Sequence, residues 1–439
     1  MGNGHRWWLA ICALAIASPA SAQSGDASNV TVIRSARMLD VRTGRYVQNP
    51  VLVIRGERID ALGPNLPAPP GARVLDLGNL TLLPGLIDSH SHLLKNNNPR
   101  FFDGPNLLLD VTVGSTTTRA LRGAGMARED LEAGITTVRD AGNSGINGDV
   151  ALRDAINEGY VPGPRIVACT RALSPAGGQL PRLASESQQL VEAEYVPVSG
   201  ADEARKAVRQ AIYYGADCIK VIVDAGNLTM SREELDAIVT EAHRYGKAVA
   251  AHAVSESAIR VATEARVSSV EHGFSLNEDL AKLMAANGVY LVPNDYPVEV
   301  YLMGVPRTPE QHQESERAYR GFTQWTRKRL AVAMKAGVRI AAGSDMYNDI
   351  GLSRGAASLL ILGAYAEAGM PPIEIIRAST SNAAELLGMA KDVGALERGK
   401  YADIIAVAGD PLRDALVLQH VRFVMKGGRV VRNDGPAAP

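Results

Sequence analysis

The sequence predicts an α/β fold, a (β/α)8 TIM barrel that carries a small β-sandwich domain built from both termini. The middle of the chain alternates apolar, strand-like runs with amphipathic helical patterns, as expected for a parallel sheet with helical crossovers. Both ends are rich in short β-type runs separated by turn residues. With 439 residues, the chain is long enough for one large barrel and one smaller domain. We predict that residues 23–82 and 393–439 form the small domain and residues 83–392 form the barrel.

The first residues, 1–22, have the layout of a secretory signal peptide. A short start containing Arg6 precedes an apolar run from Trp7 to Ala17, and Ala20-Ser21-Ala22 is a small-residue cleavage site. An uncleaved anchor is the alternative, but the apolar run is short for a membrane span. We therefore expect a periplasmic or secreted protein with no membrane contact after signal removal.

The two β-rich ends read as sets of hairpins. Near the amino end, Thr43-Gly44 and residues 55–58 separate short apolar runs. Near the carboxyl end, "YADIIAVAGDPL" contains one strand and "VRFVMKGGRVVRN" contains two, joined at Gly427-Gly428. A sheet domain assembled from both ends follows from this distribution.

The middle of the chain contains eight candidate strands with helices between several of them. One helix is predicted from Ser231, which forms a capping box with Glu234, to a carboxyl-terminal cap at Gly246. Residues 95–117 read as a long irregular insertion after the first strand, where it would line the barrel mouth. The candidate strands, in order, are "LIDSHSH", "ITTVRDAG", "RIVACTRA", "CIKVIVDAG", "AVAAHAVS", "SVEHGF", "VYLVPND" and "RIAAGSDM".

Polar residues fall at the carboxyl ends of these strands, where the chemistry of such a barrel resides. His90 and His92 end the first strand, and residues two apart in a strand point to the same face. His252 ends the fifth strand, His272 the sixth and Asp345 the eighth. Two imidazoles on one strand face are either unrelated surface residues or half of a metal site.

Each of these residues has an alternative role when it is taken alone. His252 could be a hydrogen-bonded core histidine, Asp345 the N-cap of the following helix, and Asp140 a turn residue. Since all these alternatives would have to hold together at matching strand ends, a shared site is favoured. The other histidines that follow the predicted signal peptide, His243, His312 and His420, are expected in surface or helix-packing roles.

Lys220 interrupts the apolar fourth strand, "CIKVIV". It could be half of a buried ion pair. Burial also depresses the pKa of a lysine and makes its neutral amine accessible. A neutral amine can add carbon dioxide to form a carbamate, an anion able to bridge two metal ions.

Charge and cysteine content narrow the function classes. The formal net charge of -1 does not indicate binding to nucleic acid or to an anionic membrane. Three cysteines are too few for a cysteine-rich zinc site, and Cys12 leaves with the signal peptide. Cys169 and Cys218 could form a disulfide in an oxidising compartment; a chain of this length does not need one, which disfavours the pairing but leaves it open.

Taken together, these motifs resemble the metal-dependent amidohydrolase superfamily from about residue 30 to the end. "LLPGLIDSHSHL" resembles its first-strand His-x-His, and Ile219-Lys220 resembles its carboxylated bridging lysine. The "AHA", "EHG" and "GSD" stretches complete the ligand set, and "SNAAELLGMAKDVGALERGKYADIIAV" resembles the return into the small β domain. The chain most resembles the branch of imidazolonepropionase-like and Xaa-Pro dipeptidase-like proteins, which includes carboxypeptidase-type and ochratoxin-degrading enzymes.

The resemblance implies a binuclear metal centre, most naturally with two zinc ions. His90, His92 and Asp345 would bind the buried ion, His252 and His272 the exposed one, and Lys220, as a carbamate, would bridge them. Asp345 would also transfer the proton during amide hydrolysis. Relatives of this branch imply a homo-oligomer, up to an octamer.

The implied substrate is a small amide, such as a dipeptide or N-acyl amino acid that loses its C-terminal amino acid; ochratoxin A has this form. Cyclic-amide hydrolysis of the imidazolonepropionase type and a non-catalytic solute-binding barrel are the alternatives. Substrate contacts are expected from the insertion after His92, from residues 171–179 and from residues 294–296. Relatives often have a Gly-Gly-His stretch where this chain has Gln179, so the leaving-group side of the pocket differs here.

Overall fold

A computed structural model describes residues 30–97, 107–225, 228–304 and 308–435. The predicted signal peptide, 1–22, lies outside the described residues. The strands are β1 (Val30–Arg34), β2 (Arg37–Asp40), β3 (Arg45–Gln48), β4 (Pro50–Arg55), β5 (Arg58–Pro64), β6 (Arg73–Asp76), β7 (Thr81–Pro84), β8 (Leu86–Ser91), β9 (Ile135–Asp140), β10 (Arg165–Ala168), β11 (Ala172–Ser174), β12 (Tyr195–Pro197), β13 (Cys218–Ile222), β14 (Asp224–Ala225), β15 (Leu228–Thr229), β16 (Ala248–Ala253), β17 (Ser269–His272), β18 (Tyr290–Val292), β19 (Ile404–Val407), β20 (Val421–Lys426) and β21 (Arg429–Asn433).

Helices follow most of the central strands. The α-helices are α1 (Leu107–Val113), α2 (Thr116–Glu132), α3 (Gly148–Asn157), α4 (Gln188–Glu194), α5 (Ala201–Tyr213), α6 (Arg232–Arg244), α7 (Glu256–Glu264), α8 (Glu278–Asn287), α9 (Val298–Leu302), α10 (Pro309–Lys335), α11 (Arg354–Ser358), α12 (Ile361–Glu367), α13 (Pro372–Ala378) and α14 (Ser381–Leu386). The capping box predicted for α6 is present, because Ser231 and Glu234 each bond the backbone N–H of the other. Among the described residues, no helix combines the length and apolarity needed to cross a bilayer.

The terminal segments form two sheets. The sheet of order β5-β4-β1-β6 contains strands of the amino-terminal segment alone, and the sheet of order β21-β20-β19-β7-β2-β3 combines strands from both ends of the chain. The predicted hairpins are confirmed: β2 pairs with β3, β4 with β5, and β20 with β21, all antiparallel. The two sheets share an apolar core that includes Ile33, Leu52 and Phe423, so neither end of the chain can form this core alone.

The central strands form two parallel sheets, with the orders β10-β9-β8 and β12-β11-β13-β16-β17-β18. The register of β13, β16 and β17 places Ile222 beside His252 and Ala253 beside His272. The carboxyl ends of these strands therefore lie next to each other. Helices such as α2, α6, α7 and α8 separate successive strands and bury their apolar faces.

Two of the eight predicted strands differ from the expectation. The third is divided into β10 and β11, with Thr170 between them at a φ of 60°. The eighth is an extended segment, 339–345, that is not a regular strand. Leu291 N–H donates to Arg339 O at 2.9 Å, and Ser89 N–H donates to Ala342 O at 2.7 Å. The segment thus lies between β18 and β8, where the eighth strand was expected.

The insertion after the first strand is more regular than predicted. Residues 107–113 form α1, and α2 already begins at Thr116, so the irregular reading of residues 95–117 is wrong for this part. Residues 98–106 of the insertion lie outside the described residues. Polar and Gly-containing runs suggested a loop, whereas "LLLDVTV" forms two helical turns.

The disulfide that chain length disfavoured is present. Cys169, which follows β10, forms a disulfide with Cys218 at the start of β13, and their Cα atoms are 4.6 Å apart. Both side chains are buried. Chain length determines whether a disulfide is needed, whereas strand adjacency determines whether it can form. Here Asp217 N–H donates to Ala168 O at 2.7 Å and brings the two chain segments together.

Candidate active site

The two histidines of the first strand lie side by side, as strand geometry predicts. His90 is in β8 and His92 follows it, and their ring centroids are 5.2 Å apart. Both side chains are buried. Asp345, at the end of segment 339–345, is held against them because its backbone N–H donates to His90 O at 2.7 Å. Its backbone has a φ of 50°, a left-handed conformation that is uncommon for residues other than glycine.

His90, His92 and Asp345 present three ligand atoms that all lie within 4.8 Å of one another. Asp345 Oδ1 is 3.1 Å from His92 Nε2 and 3.7 Å from His90 Nε2. Two imidazole nitrogens and one carboxylate oxygen in such a group are typical of a transition-metal site.

The hydrogen bonds on the far side of each ring fix its tautomer. His90 Nδ1 lies 2.7 Å from Glu271 Oε2, and His92 Nδ1 lies 2.7 Å from Gly142 O. Since a carboxylate and a carbonyl only accept, both Nδ1 atoms must donate. Burial lowers the pKa of both imidazoles, that of His90 to about 4. The neutral rings therefore direct their Nε2 lone pairs at the Asp345 carboxylate. These three acceptor atoms repel one another, and a bound cation would offset that repulsion.

Lys220 completes this side of the site from β13. It is buried, and its Nζ atom lies 3.5 Å from His90 Nε2. Burial lowers the pKa of Lys220 to about 8, with Arg139 lowering it further and Glu271 partly opposing the shift. The neutral amine is thus accessible near neutral pH, as the sequence predicted.

His252 and His272 lie beside the first three ligands. Their ring centroids are 4.6 Å apart, and that of His272 is 5.2 Å from that of His90. Burial lowers the pKa of both rings, that of His252 to about 4. His272 has a φ of 66°, and its carbonyl accepts a hydrogen bond from Arg329. The structure therefore brings all six predicted residues to one place.

Two buried charged residues beneath the site were not predicted. Glu271 and Arg139 are completely inaccessible to solvent and form an ion pair of 2.7 Å, and Glu271 also orients His90. Burial would raise the pKa of Glu271, but Arg139 and His90 outweigh burial and lower it. The available signal was a charged residue inside an apolar strand, Glu271 in "SVEH" and Arg139 in "ITTVRD". The same signal identified Lys220.

A cavity of about 660 Å³ opens above the six residues. All three loops that were expected to contact substrate contribute to its lining: Lys95 and Asn97, Gln179, and Asn294 and Tyr296, respectively. A cavity of this size accommodates a small-molecule substrate.

Gln179 stands where the relatives often have histidine, and it contacts the site directly. Its Nε2 atom lies 3.5 Å from His252 Nδ1, and its Oε1 atom accepts a hydrogen bond from the Tyr195 hydroxyl at 3.3 Å. Gly178, with a φ of 57°, passes so close to the Tyr195 ring that a Cβ atom there would come within 2.3 Å of it. This close approach fixes the turn that presents Gln179.

The other polar residues of the sequence analysis have structural roles. Asp140 accepts hydrogen bonds from Leu93 N–H, Gly142 N–H and the Ser144 hydroxyl, so it holds the turn after β9. Burial raises its pKa, and the neighbouring Asp149 adds to the shift. The three remaining histidines are exposed, as predicted: His243, His312 and His420.

A buried group of imidazoles and one carboxylate lies at the ends of the central strands, below a cavity, and such a group is typical of a metal-dependent hydrolase. Comparison with known proteins supports this class of enzyme. Residues 81–431 match the model of the amidohydrolase family, and the chain belongs to this family. The protein is therefore a hydrolase that acts on C–N bonds, in a superfamily that depends on metal ions.

Several relatives cover almost the whole chain. Ochratoxinase from Aspergillus niger is 30% identical over 447 residues, which cover 94% of this chain and 88% of the relative. Imidazolonepropionase from Pseudomonas paraeruginosa is 27% identical over 401 residues, 83% of this chain and 89% of the relative. The crystal structure of a prolidase complexed with N-methylphosphonate-L-proline is similar, with a TM-score of 0.80 and 29% identity; the match covers 92% of this chain and all of the other.

Proposed function

We propose that this protein is a binuclear metal-dependent carboxypeptidase or dipeptidase. Its reaction would be hydrolysis of the amide bond that joins a C-terminal amino acid to an acyl or aminoacyl group. The observation that carries the proposal is the convergence of His90 Nε2, His92 Nε2 and Asp345 Oδ1, within 4.8 Å of one another, at the base of the cavity.

The residues at this site suit two divalent ions, with zinc as the natural choice for imidazole and carboxylate ligands. His90, His92 and Asp345 would hold one ion, and His252 and His272 the other. When bound, such ions lower the pKa of water and polarise a carbonyl oxygen.

Lys220 would enter the centre as a carbamate. Its neutral amine forms a new N–C bond to carbon dioxide and loses one proton, which leaves a carboxylate at the end of the side chain. The low polarity of its surroundings favours the neutral amine that this addition needs. The resulting anion offsets the repulsion between two closely spaced cations.

Asp345 would move the proton during hydrolysis. Its carboxylate accepts a proton from the attacking water and delivers it to the departing amine nitrogen. The side chain is 21% exposed, whereas that of His90 is 1% exposed. Asp345 therefore combines contact with the buried ligands and access to the cavity.

The named relatives support a substrate with an amide bond to an amino acid. An ochratoxinase, a prolidase and a Xaa-Pro dipeptidase are all similar over more than nine-tenths of this chain. Similarity to imidazolonepropionase supports a second candidate, cyclic-amide hydrolysis. The predicted secretion disfavours this second candidate, because the pathway in which imidazolonepropionases act is cytoplasmic.

We further propose that β8, β9, β10–β11, β13, β16, β17, β18 and segment 339–345 close into a (β/α)8 barrel. The backbone bonds of segment 339–345 to both β18 and β8 support this closure. The shared core of the terminal sheets supports the small β-sandwich domain. From the sequence, we also propose that the protein is secreted and that it assembles into a homo-oligomer, up to an octamer.

Metal analysis together with a substrate panel tests this function. Elemental analysis after gentle purification should find about two transition-metal ions per chain. The panel pairs an N-acyl amino acid with its carboxamide and adds a cyclic amide. Cleavage of the acid alone is expected, equal cleavage of both members of the pair indicates a general amidase, and cleavage of the cyclic amide alone selects the second candidate. A metal-free, active protein would contradict the metal site.

A further inference from the structure

One part of the cavity lining consists of aromatic rings. Phe274 follows β17, Tyr301 belongs to α9, and Tyr319 and Phe322 lie three residues apart on α10. Residues three apart on a helix share a face, so α10 directs both rings to the cavity. We call these four residues the aromatic wall.

The rings of the aromatic wall form a continuous series of contacts that begins at the proposed metal ligand His272. The ring centroids of His272 and Phe274 are 5.6 Å apart, and Phe322 is 5.4 Å from Phe274. Tyr301 lies 5.7 Å from Phe322 and stacks on Tyr319 at 5.1 Å. These separations are typical of favourable aromatic pairs. The rings therefore hold one another in place.

The aromatic wall is also supported from behind. The Arg329 guanidinium lies 5.5 Å from the Phe274 ring centroid, and Trp325 lies 5.7 Å from Phe274 and 5.9 Å from Phe322. Arg329 is itself fixed by an ion pair with the buried Asp295. A wall fixed in this way loses little conformational entropy when a ligand packs against it.

The rings of the aromatic wall are only partly buried, so apolar surface faces the cavity. Only 5% of the residues in this chain are aromatic and only five are phenylalanines, two of which are in the wall. Such a concentration is not a consequence of composition. Another part of the lining is polar, with Asn143, Gln179 and Tyr195 joined by hydrogen bonds.

We propose that the aromatic wall is a specificity site that selects substrates carrying an aromatic group beside the scissile amide. This inference rests on the proposed amide hydrolysis and adds the substrate class. A flat ring can pack edge-to-face or offset against Phe322 and Tyr319, which gains more than burial of an alkyl group alone. The ring could belong to the leaving amino acid or to the acyl group, and both sources share this chemistry.

The experiment compares three substrates: N-acetyl-L-phenylalanine, N-benzoyl-L-alanine and N-acetyl-L-alanine. For the holoenzyme, we expect kcat/KM to be about tenfold or more higher for at least one aromatic substrate than for N-acetyl-L-alanine. The aromatic substrate with the higher kcat/KM identifies which half of the substrate, the leaving amino acid or the acyl group, contacts the aromatic wall. Equal kcat/KM for all three would overturn the inference but leave amide hydrolysis intact.

Variants assign the preference to the wall. Phe322→Ala and Tyr319→Ala should each lower kcat/KM for the preferred aromatic substrate by about tenfold and change that for N-acetyl-L-alanine little. Tyr213→Ala is the matched control, because Tyr213 is on α5 and 82% exposed. Equal losses on both substrates would refute a specificity role. Phe322→Leu retains apolar volume if Phe322→Ala does not fold, and it should still lose the aromatic preference.

A binding measurement separates this inference from the proposed reaction. Trp325 is the one tryptophan that follows the predicted signal peptide, and it contacts Phe274 and Phe322. Titration of the chain starting at Gln23 with phenylalanine and with benzoate should change tryptophan fluorescence for at least one of them, whereas alanine should not. If no amide is cleaved but the aromatic ligand still binds, the reaction is wrong and the wall remains; if neither aromatic ligand binds, the wall is wrong.

Discussion

Glu271→Gln tests how the buried charges beneath the site control metal binding. In the wild type, Glu271 accepts from Arg139 Nη2 through Oε1 and from His90 Nδ1 through Oε2, both at 2.7 Å. In the variant, Arg139 selects the amide oxygen, so the amide NH2 group faces His90. The ring must then accept at Nδ1 and carry its hydrogen on Nε2, which removes the lone pair that faces Asp345.

The expected cost follows from the lost contacts. Disturbing a group that orients a metal-binding histidine typically weakens metal affinity by about 10–100-fold, which corresponds to about 1.4–2.8 kcal/mol. Removing one partner of a buried ion pair costs about 3–5 kcal/mol in the free energy of unfolding. The lower part of this range applies, since Arg139 keeps hydrogen bonds to Ser89 O at 2.6 Å and to the Ser269 hydroxyl at 3.2 Å.

The assay is competition for zinc between the metal-stripped protein and a fluorescent chelator, with unfolding followed separately by circular dichroism. Glu264→Gln is the matched control, because Glu264 pairs with Arg232 at the surface and is 40% exposed. We expect this control to change stability by less than about 1 kcal/mol and to bind zinc as the wild type does. A zinc affinity of Glu271→Gln within about twofold of the wild type would refute the tautomer argument.

Three further predictions concern residues near the site. Lys220→Ala should lose most activity and much bound metal, and acetate or propionate should partly restore both; rescue by amines instead would indicate an ion-pair lysine. Cys218→Ser should lower the free energy of unfolding by up to about 4 kcal/mol, because the disulfide to Cys169 spans 49 residues; a reductant titration that leaves stability unchanged would contradict this. Gly343→Ala should cost about 1–3 kcal/mol and weaken metal binding, since a Cβ atom would lie 2.7 Å from His90 Cβ; unchanged metal content would argue against it.

Local patterns in the sequence were sufficient for several features of the fold and site. The two-residue repeat of a strand placed His90 and His92 on one face, and the capping signals of Ser231 and Glu234 set the start of α6. These features depend on residues close in the chain, whose geometry is fixed by backbone periodicity and local hydrogen bonds. Strand ends could also be read from sequence, and they identified five of the six residues that the structure brings together; the sixth, Lys220, was identified as a charged residue inside an apolar strand.

Contacts between distant segments could be predicted only in part. Chain-length reasoning disfavoured the Cys169–Cys218 disulfide, and apolar alternation predicted a regular eighth strand where segment 339–345 is merely extended. Both outcomes depend on which strands become neighbours and in what register. That information is not contained in the pattern of any single segment.

The sequence by itself determined which residues come together at the candidate site, because most of them are visible in one dimension as polar residues at strand ends. Tertiary structure decided how those residues are supported. Glu271, Arg139 and His90 come from three different strands, and their network exists only after these strands pack together. The aromatic wall likewise joins the segment after β17 to α9 and α10. A side chain is oriented by whatever lies against it, and for these residues that neighbour is remote along the chain.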